Sequence, residues 1–320
     1  MSPESPFERR VESAIVECVA NVSEGRRTEV IAALGAAVSA VPGARLLDVH
    51  TDGDHHRSVF TFAGKVQAVE EGAFRLAEAA VAGIDLRVHR GTHPRIGALD
   101  VLPFVPLLGA TMADCVELAH RVGRRIADEL GVPIYFYAQA ALRPERRLLA
   151  NVRRGEYEEL LRTITADPGR TPDAGPHVLG PAGATAVGAR PPLIAFNMHL
   201  LTDDLAVAQA VARSVRESSG GLPGVQALGL PTTRPGIVQV SMNLVRPELT
   251  PLHTVVTFVR EQAASRGVAM AESELVGLLP ARSVLAAAEA ALGLPSLEGR
   301  QVIEIALAEP LDLSPPRTGV

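Results

Sequence analysis

Cysteine is almost missing from this chain: two residues, Cys18 and Cys115, among 320. That excludes a fold stapled by disulfides. Both lie inside apolar periodic segments, so they read as buried free thiols of a reducing compartment. Cys115 has His120 five residues on in a helical pattern, about 140° around the helix, which is poor geometry for a nucleophile and its base. No run of about 18 apolar residues occurs, so no membrane span is expected. The opening "MSPESPFERRVE" carries no apolar core of a secretory leader, and a cytoplasmic protein is the expectation. A dominant charge sign is missing too: 31 basic residues face 36 acidic ones, a net charge of −5, with no long basic run. This argues against a nucleic-acid binder, whose affinity rests on a concentrated positive face. Small anionic ligands stay open, because they need only a few arginines. G-x-S-x-G, H-E-x-x-H and C-x-x-C do not occur, and neither phosphate-binding glycine fingerprint is present.

What is there is enough for two ordinary domains: 47% hydrophobic and 21% charged residues over the full length. The first hundred residues alternate in character. "AIVECVANV" (14–22) reads as a strand, and 23–41 as a helix with Ser23 as its N-cap. "ARLLDVHT" (44–51) and "SVFTFAG" (58–64) read as strands joined by the polar "DGDHHR". A helix over 67–83 ends at a glycine, and "IDLRVH" (84–89) reads as the fourth strand. From 192 the same order returns: strand 192–200, helix 204–218, strands 225–231 and 236–245, helix 251–267, strand 268–280. The chain therefore reads as α+β, a duplicated ferredoxin-like βαββαβ unit. Each sheet hides one face under two helices, so two copies would face each other across a groove. Between them an insertion holds helix 111–131, strand 132–138 and helix 153–166. The Gly- and Pro-rich stretch 167–190 then reads as a long ordered loop.

Three segments carry chemistry. "RGTHPRIGALD" (90–100) stiffens a histidine, His93, with Pro94 beside it. An imidazole titrating near neutrality suits acid–base work; the residues alone leave it either that or a solvated loop histidine. "DVHTDGDHHR" (48–57) packs His50, Asp52, Asp54, His55 and His56 together, which reads as a substrate-facing hairpin, a metal cluster or a solvated turn. "AGATAVGAR" (182–190) offers close backbone approach to a flat ligand. Arg57, Arg95 and Arg190 are the candidate clamps for carboxylates, converging with His93 if the duplication holds. His253, in "PLHTV", reads as a capping or packing residue.

The blocks "VECVANVSEGRR", "LLDVHTDGDHHRSVFTFAG", "GTHPRIGALDVLPFVPLLGATM", "RRGEYEEL", "GATAVGARPPLIAFNMHL", "QVSMNL", "TPLHTV" and "SELVGLLP" occur in this order and resemble the glutamate formiminotransferase family, the transferase half of formimidoyltransferase-cyclodeaminase. The resemblance implies two subdomains, 13–186 and 187–310, assembled as a homodimer. It implies transfer of the formimino group of N-formimino-L-glutamate to N5 of tetrahydrofolate, with small-molecule substrates, no metal and no nucleic acid or membrane partner. It implies His93 as general acid and base, and a folate-contacting loop on Gly175, Pro176, His177, Gly180 and Gly183. His50, Arg57, Arg95 and Arg190 join these as expected binding residues. The chain departs from the family pattern at Thr92, His50 and Gln139, where the family carries acids. Leu179, Ala182 and Leu230 stand where it carries aromatics. These changes keep two alternatives in play: a relative with an altered substrate, and a non-catalytic binding protein on the same scaffold. A hydrolase built on the histidine–aspartate hairpin is a third.

Overall fold

The computed structural model describes residues 14–91, 93–303 and 305. By packing, the chain divides into Met1–Pro192 with Val276–Leu278, and Leu193–Leu275 with Leu279–Val320. In chain order the first unit holds β1 (Ile15–Val22), α1 (Thr28–Ser39), β2 (Arg45–Asp52), β3 (Arg57–Lys65), α2 (Val66–Gly83) and β4 (Leu99–Pro106). It continues with α3 (Met112–Leu130), β5 (Ile134–Ala138), the short α4 (Leu149–Val152), α5 (Glu156–Thr163) and β6 (Thr185–Ala189). Its six strands form one sheet in the order β2-β3-β1-β4-β6-β5. β1 runs antiparallel to β3 and β4, and β6 runs parallel to β4 and β5.

Period-two patterning decides which sheet face is covered. Along β1, Val16, Cys18, Ala20 and Val22 are fully buried, and the alternate residues Ile15, Glu17, Val19 and Asn21 are half-buried. Phe60 and Phe62 of β3 pair with Ala20 and Cys18 and join the same core. The helices supply its other layer. α3 shows why: Cys115, Leu118, Ala119, Val122 and Ile126 recur at helical spacing on one buried face. Its start is fixed by a capping box between Thr111 and Asp114, and Gly131 ends it in the left-handed conformation that glycine adopts at little cost. Both cysteines are buried free thiols.

Several expected elements fall differently. Residues 84–89 are not a strand: Asp85 turns its carboxylate onto the backbone N–H and guanidinium of Arg87, and this local bond competes with any sheet ladder. The fourth strand is β4, ten residues later. Most of "AGATAVGAR" is β6, fully buried, so its small residues serve packing; a Cβ on Gly188 would lie 2.6 Å from the Tyr137 ring. Ser23 does not cap α1, which begins at Thr28; its hydroxyl donates to the Gly97 carbonyl at 2.7 Å. The helix expected over 153–166 is shortened to α5 by Gly155, which is left-handed.

The second unit holds β7 (Ile194–Leu201), α6 (Leu205–Val215), β8 (Val225–Pro231), β9 (Ile237–Leu244), α7 (Leu252–Ala264), β10 (Met270–Val276) and α8 (Ala281–Leu292). Its four strands follow the order β10-β7-β9-β8. Read from the opposite edge this is second, third, first, fourth, the order that β2, β3, β1 and β4 keep in the first unit. Its own core gathers Met198, Leu200, Val211, Val240, Leu244, Val255 and Val259. His253 lies in the first turn of α7 with a buried Nδ1. Among the described residues no helix is long and apolar enough to cross a membrane.

Candidate active site at the end of the first sheet

The face of β2 and β3 turned away from the Phe60–Phe62 core carries the polar residues. Asp52 pairs with Arg57, His50 with Val59 and Asp48 with Thr61, so His50, Asp52 and Arg57 share that face. The β2–β3 turn closes it with His55 and His56. The loop 90–98 comes to the same sheet end, and Arg57 Nη1 donates to His93 Nε2 at 3.0 Å. Nε2 is thus an acceptor, and the ring proton sits on Nδ1. Beyond it lies the His55 ring, 6.3 Å from His93 between centroids and tilted by 72°. His55 Nδ1 is bound to the Asp52 carboxylate, which also accepts the backbone N–H groups of Asp54 and His55.

Electrostatics set the protonation states. Burial, reinforced by the guanidinium groups of Arg57 and Arg153, the His55 ring and Arg95, holds His93 far below the ordinary histidine range. For Asp52, burial pushes up, yet the hydrogen bonds from the His55 ring and backbone win and hold the carboxyl well below the usual range. His89 is also kept neutral by burial: its Nε2 donates to the His56 carbonyl and its Nδ1 accepts from Arg95.

The loop that carries His93 is anchored from three sides. Asp100, 1% exposed, accepts the Ile96 N–H at 2.8 Å and the Arg153 guanidinium. Arg95, 5% exposed, donates to Glu156 and Glu158 at 2.8 and 2.7 Å, and its carbonyl accepts the Tyr157 N–H. On the third side the backbone of 96–98 exchanges hydrogen bonds with Ala182 and Ala184. A Cβ on Gly97 would sit 2.0 Å from the Ala184 carbonyl oxygen, so this approach requires glycine. The segment 153–158 therefore belongs to the site. In the sequence, its run of two arginines and two glutamates is the available signal.

The expected binding residues do not all gather around His93. Arg57 touches it and His50 shares its face. Arg95, expected to face an anion, spends its guanidinium on the chain's own carboxylates and His89. Arg190 lies beside Glu17 and Tyr137, at the level of Phe104 on β4, roughly 15 Å along the strands from the His93 end. Gly175 and Gly183 are both left-handed. Gly183 is buried against Ile96, while Pro176, His177 and Gly180 are exposed. Thr92 lies outside the described residues. Among the described residues no three His, Cys, Asp or Glu side chains converge as a metal site.

Two effects follow from these contacts. Arg95→Ala is expected to lower kcat more than it raises KM for an anionic substrate, because it loosens the loop rather than a clamp. The lost charged hydrogen bonds would cost about 1.5–3 kcal/mol of stability. Steady-state kinetics with a urea titration checks both, and a pure KM effect would return Arg95 to the binding residues. Acid should also destabilise the fold. The stability contributed by His93, and by His56 and His89, which burial likewise depresses, is complete above the unfolded value of about 6.5. It is withdrawn below that, because the unfolded chain takes up protons that the fold refuses. His93 alone allows a slope of up to about 1.4 kcal/mol per pH unit. The urea midpoint should hold between about pH 7 and 8 and fall below about pH 6.5; a flat profile down to about pH 5 would show that these rings protonate freely in the fold.

Comparison with known proteins places this geometry. Residues 15–190 match the formiminotransferase domain, N-terminal subdomain, and residues 195–309 match the formiminotransferase domain. A glutamate formimidoyltransferase of Streptococcus pyogenes serotype M1 is 43% identical over 276 residues, covering 86% of this chain and 92% of that protein. One of Thermoplasma acidophilum is 40% identical over 293 residues, 91% and 96% of the two chains. The formimidoyltransferase-cyclodeaminase of Gallus gallus is 45% identical over 283 residues, 86% of this chain but 52% of its own length. With both subdomains matched in order and such identity over most of its length, the chain belongs to the formiminotransferase family.

Proposed function

We propose that this protein is a glutamate formimidoyltransferase, moving the formimino group of N-formimino-L-glutamate to N5 of tetrahydrofolate and releasing L-glutamate. The observation that carries this is its identity to glutamate formimidoyltransferases over nearly their whole length. The site supports it. The formimino carbon must be attacked by N5, which has to lose its proton as the new bond forms. His93, neutral and preorganised at the sheet end, serves as the base. Its Nε2 is engaged by Arg57 in the free protein. A substrate carboxylate that draws the Arg57 guanidinium aside would free that lone pair, so base and substrate are coupled. Arg190 suits the far end of an extended ligand, and the loop of Gly175, Pro176, His177, Gly180 and Gly183 is the folate contact.

The strand orders support a duplicated ferredoxin-like fold, with subdomains 13–186 and 187–310. We assign the protein to the cytoplasm and to histidine degradation, as a homodimer with no resident metal. The test is direct: incubation with formiminoglutamate and tetrahydrofolate, with glutamate and 5-formiminotetrahydrofolate followed by mass spectrometry. Absence of both products would overturn the assignment. A second reading, a different formimino donor, rests on His50, an imidazole on the substrate-facing strand where the family pattern has a carboxylate. A panel of formimino amino acids, compared by kcat/KM, separates the two.

A further inference from the structure

The reaction needs a proton in two places. N5 gives one up, and the glutamate nitrogen must receive one before the C–N bond breaks, because an amide ion is too poor a leaving group. His93 is badly placed to deliver that second proton. Its Nε2 faces a guanidinium, and Arg95 and Arg153 stand nearby, so an imidazolium there is crowded by like charge.

We propose that His55, held by Asp52, is a second catalytic residue, the general acid that protonates the departing glutamate nitrogen. This rests on the transferase reading above. The geometry points to it in three ways. The Asp52 carboxylate binds His55 Nδ1, which fixes the tautomer and leaves Nε2 as the working nitrogen. Asp52 is itself anchored by two backbone N–H groups of the turn, so the ring is aimed rather than floating. The His55 side chain, 16% exposed, lies one ring away from His93, near enough for one tetrahedral centre to reach both. The charged neighbours are Asp52 at the end of β2, Asp54 in the turn, Arg57 on β3 and His93 on its loop. Arg26 also approaches, through its bond to the Gly53 carbonyl. Asp52 bonds the His55 ring directly.

The step balances without a further reactant. N5 attacks the formimino carbon, and its proton passes to His93 Nε2. The tetrahedral centre collapses, the bond from carbon to the glutamate nitrogen breaks, and its electron pair takes the proton from His55 Nε2. Glutamate leaves as the amine and the formimino group stays on N5. One proton then moves from His93 to His55, through solvent or directly, and restores both.

The test uses the full chain with His55→Gln and Asp52→Asn, and two donors: formiminoglutamate and an S-aryl thioformimidate, whose thiolate leaves without a proton. His55→Gln should lose about 10²–10³-fold in kcat with formiminoglutamate and stay within a few-fold of wild type with the thioimidate. His93→Ala should lose with both. Equal losses on the two donors, or none, would overturn the assignment of the acid. A second arm needs no turnover: NMR of the ring nitrogens in the free protein. The His55 Nδ1–H should carry the downfield proton of a bond to a carboxylate, and Asp52→Asn should lose it. A His55 with no hydrogen-bonded Nδ1 proton overturns the pairing. If the wild-type protein transfers nothing to tetrahydrofolate, the functional reading falls, and the NMR arm decides on the pair by itself.

Discussion

His93→Ala is expected to remove turnover, by about 10²–10⁴-fold in kcat, while the protein stays folded and still binds its substrates. The size follows from what the ring does. A positioned base contributes that range because it takes the proton as the bond forms, and the guanidinium groups around it cannot substitute: Arg57, Arg95 and Arg153 are permanently charged donors. The fold should tolerate the change because the loop is tied through other atoms, chiefly the Ile96 N–H to Asp100 and the Arg95 guanidinium to Glu156 and Glu158. Removing the imidazole also removes one acceptor of Arg57 Nη1, and that N–H can turn to a substrate carboxylate. KM for formiminoglutamate should therefore stay level or fall as kcat collapses. Rapid-quench measurement of product in a single turnover, with calorimetric binding of each substrate, checks both halves. Turnover within ten-fold of wild type would show His93 to be a loop residue with a proline beside it.

How much of this was readable in advance depends on whether the deciding contact is local. The β1–α1–β2–β3–α2 order was legible, because alternation along β1 and β3 and the helical spacing in α2 are short-range patterns that burial enforces. The fourth strand was misplaced because "IDLRVH" alternates like a strand while one side chain, Asp85, bonds back to its own backbone and turns the chain. β6 reads as a ligand loop in the sequence because its Gly and Ala residues carry no strand signal of their own. Their size is set by Tyr137 on the neighbouring strand, far away in sequence. In the candidate site, the approach of the His93 loop to Arg57 is the legible part, from the stiffened loop and the cation closing the hairpin. The role of Arg95 is not. An arginine beside a candidate catalytic histidine reads as a substrate clamp until Glu156 and Glu158, some sixty residues on, are seen to claim it. The Asp52–His55 pair was visible only as one element of a dense cluster, since sequence does not say which of three histidines an aspartate will hold.

Asp100→Ala should cost the first unit about 3–5 kcal/mol of stability. Asp100 is 1% exposed and accepts from two donors, the Ile96 N–H and the Arg153 guanidinium. The Ile96 N–H is buried and would be orphaned, at about 1–3 kcal/mol. The Arg153 guanidinium, largely buried, would lose its counter-charge, and an unpaired buried charge is the costlier of the two losses. For a unit of this size such a loss lowers the thermal midpoint by roughly 10 °C. Activity should suffer beyond what unfolding explains. An uncompensated Arg153 adds positive potential beside His93, and the loop that carries the ring is released at Ile96. Asp100→Asn makes the distinction. Its amide oxygen can still accept the Ile96 N–H, so the loop is kept while the charge is lost. It should recover part of the stability, yet leave His93 protonating at still lower pH. Thermal unfolding of both variants, with the His93 resonance followed by NMR, reads the two effects separately. Equal midpoints for Asp100→Ala and wild type would mean that Arg153 escapes to solvent and that the loop is held by Arg95 and the glycine contact at β6 alone.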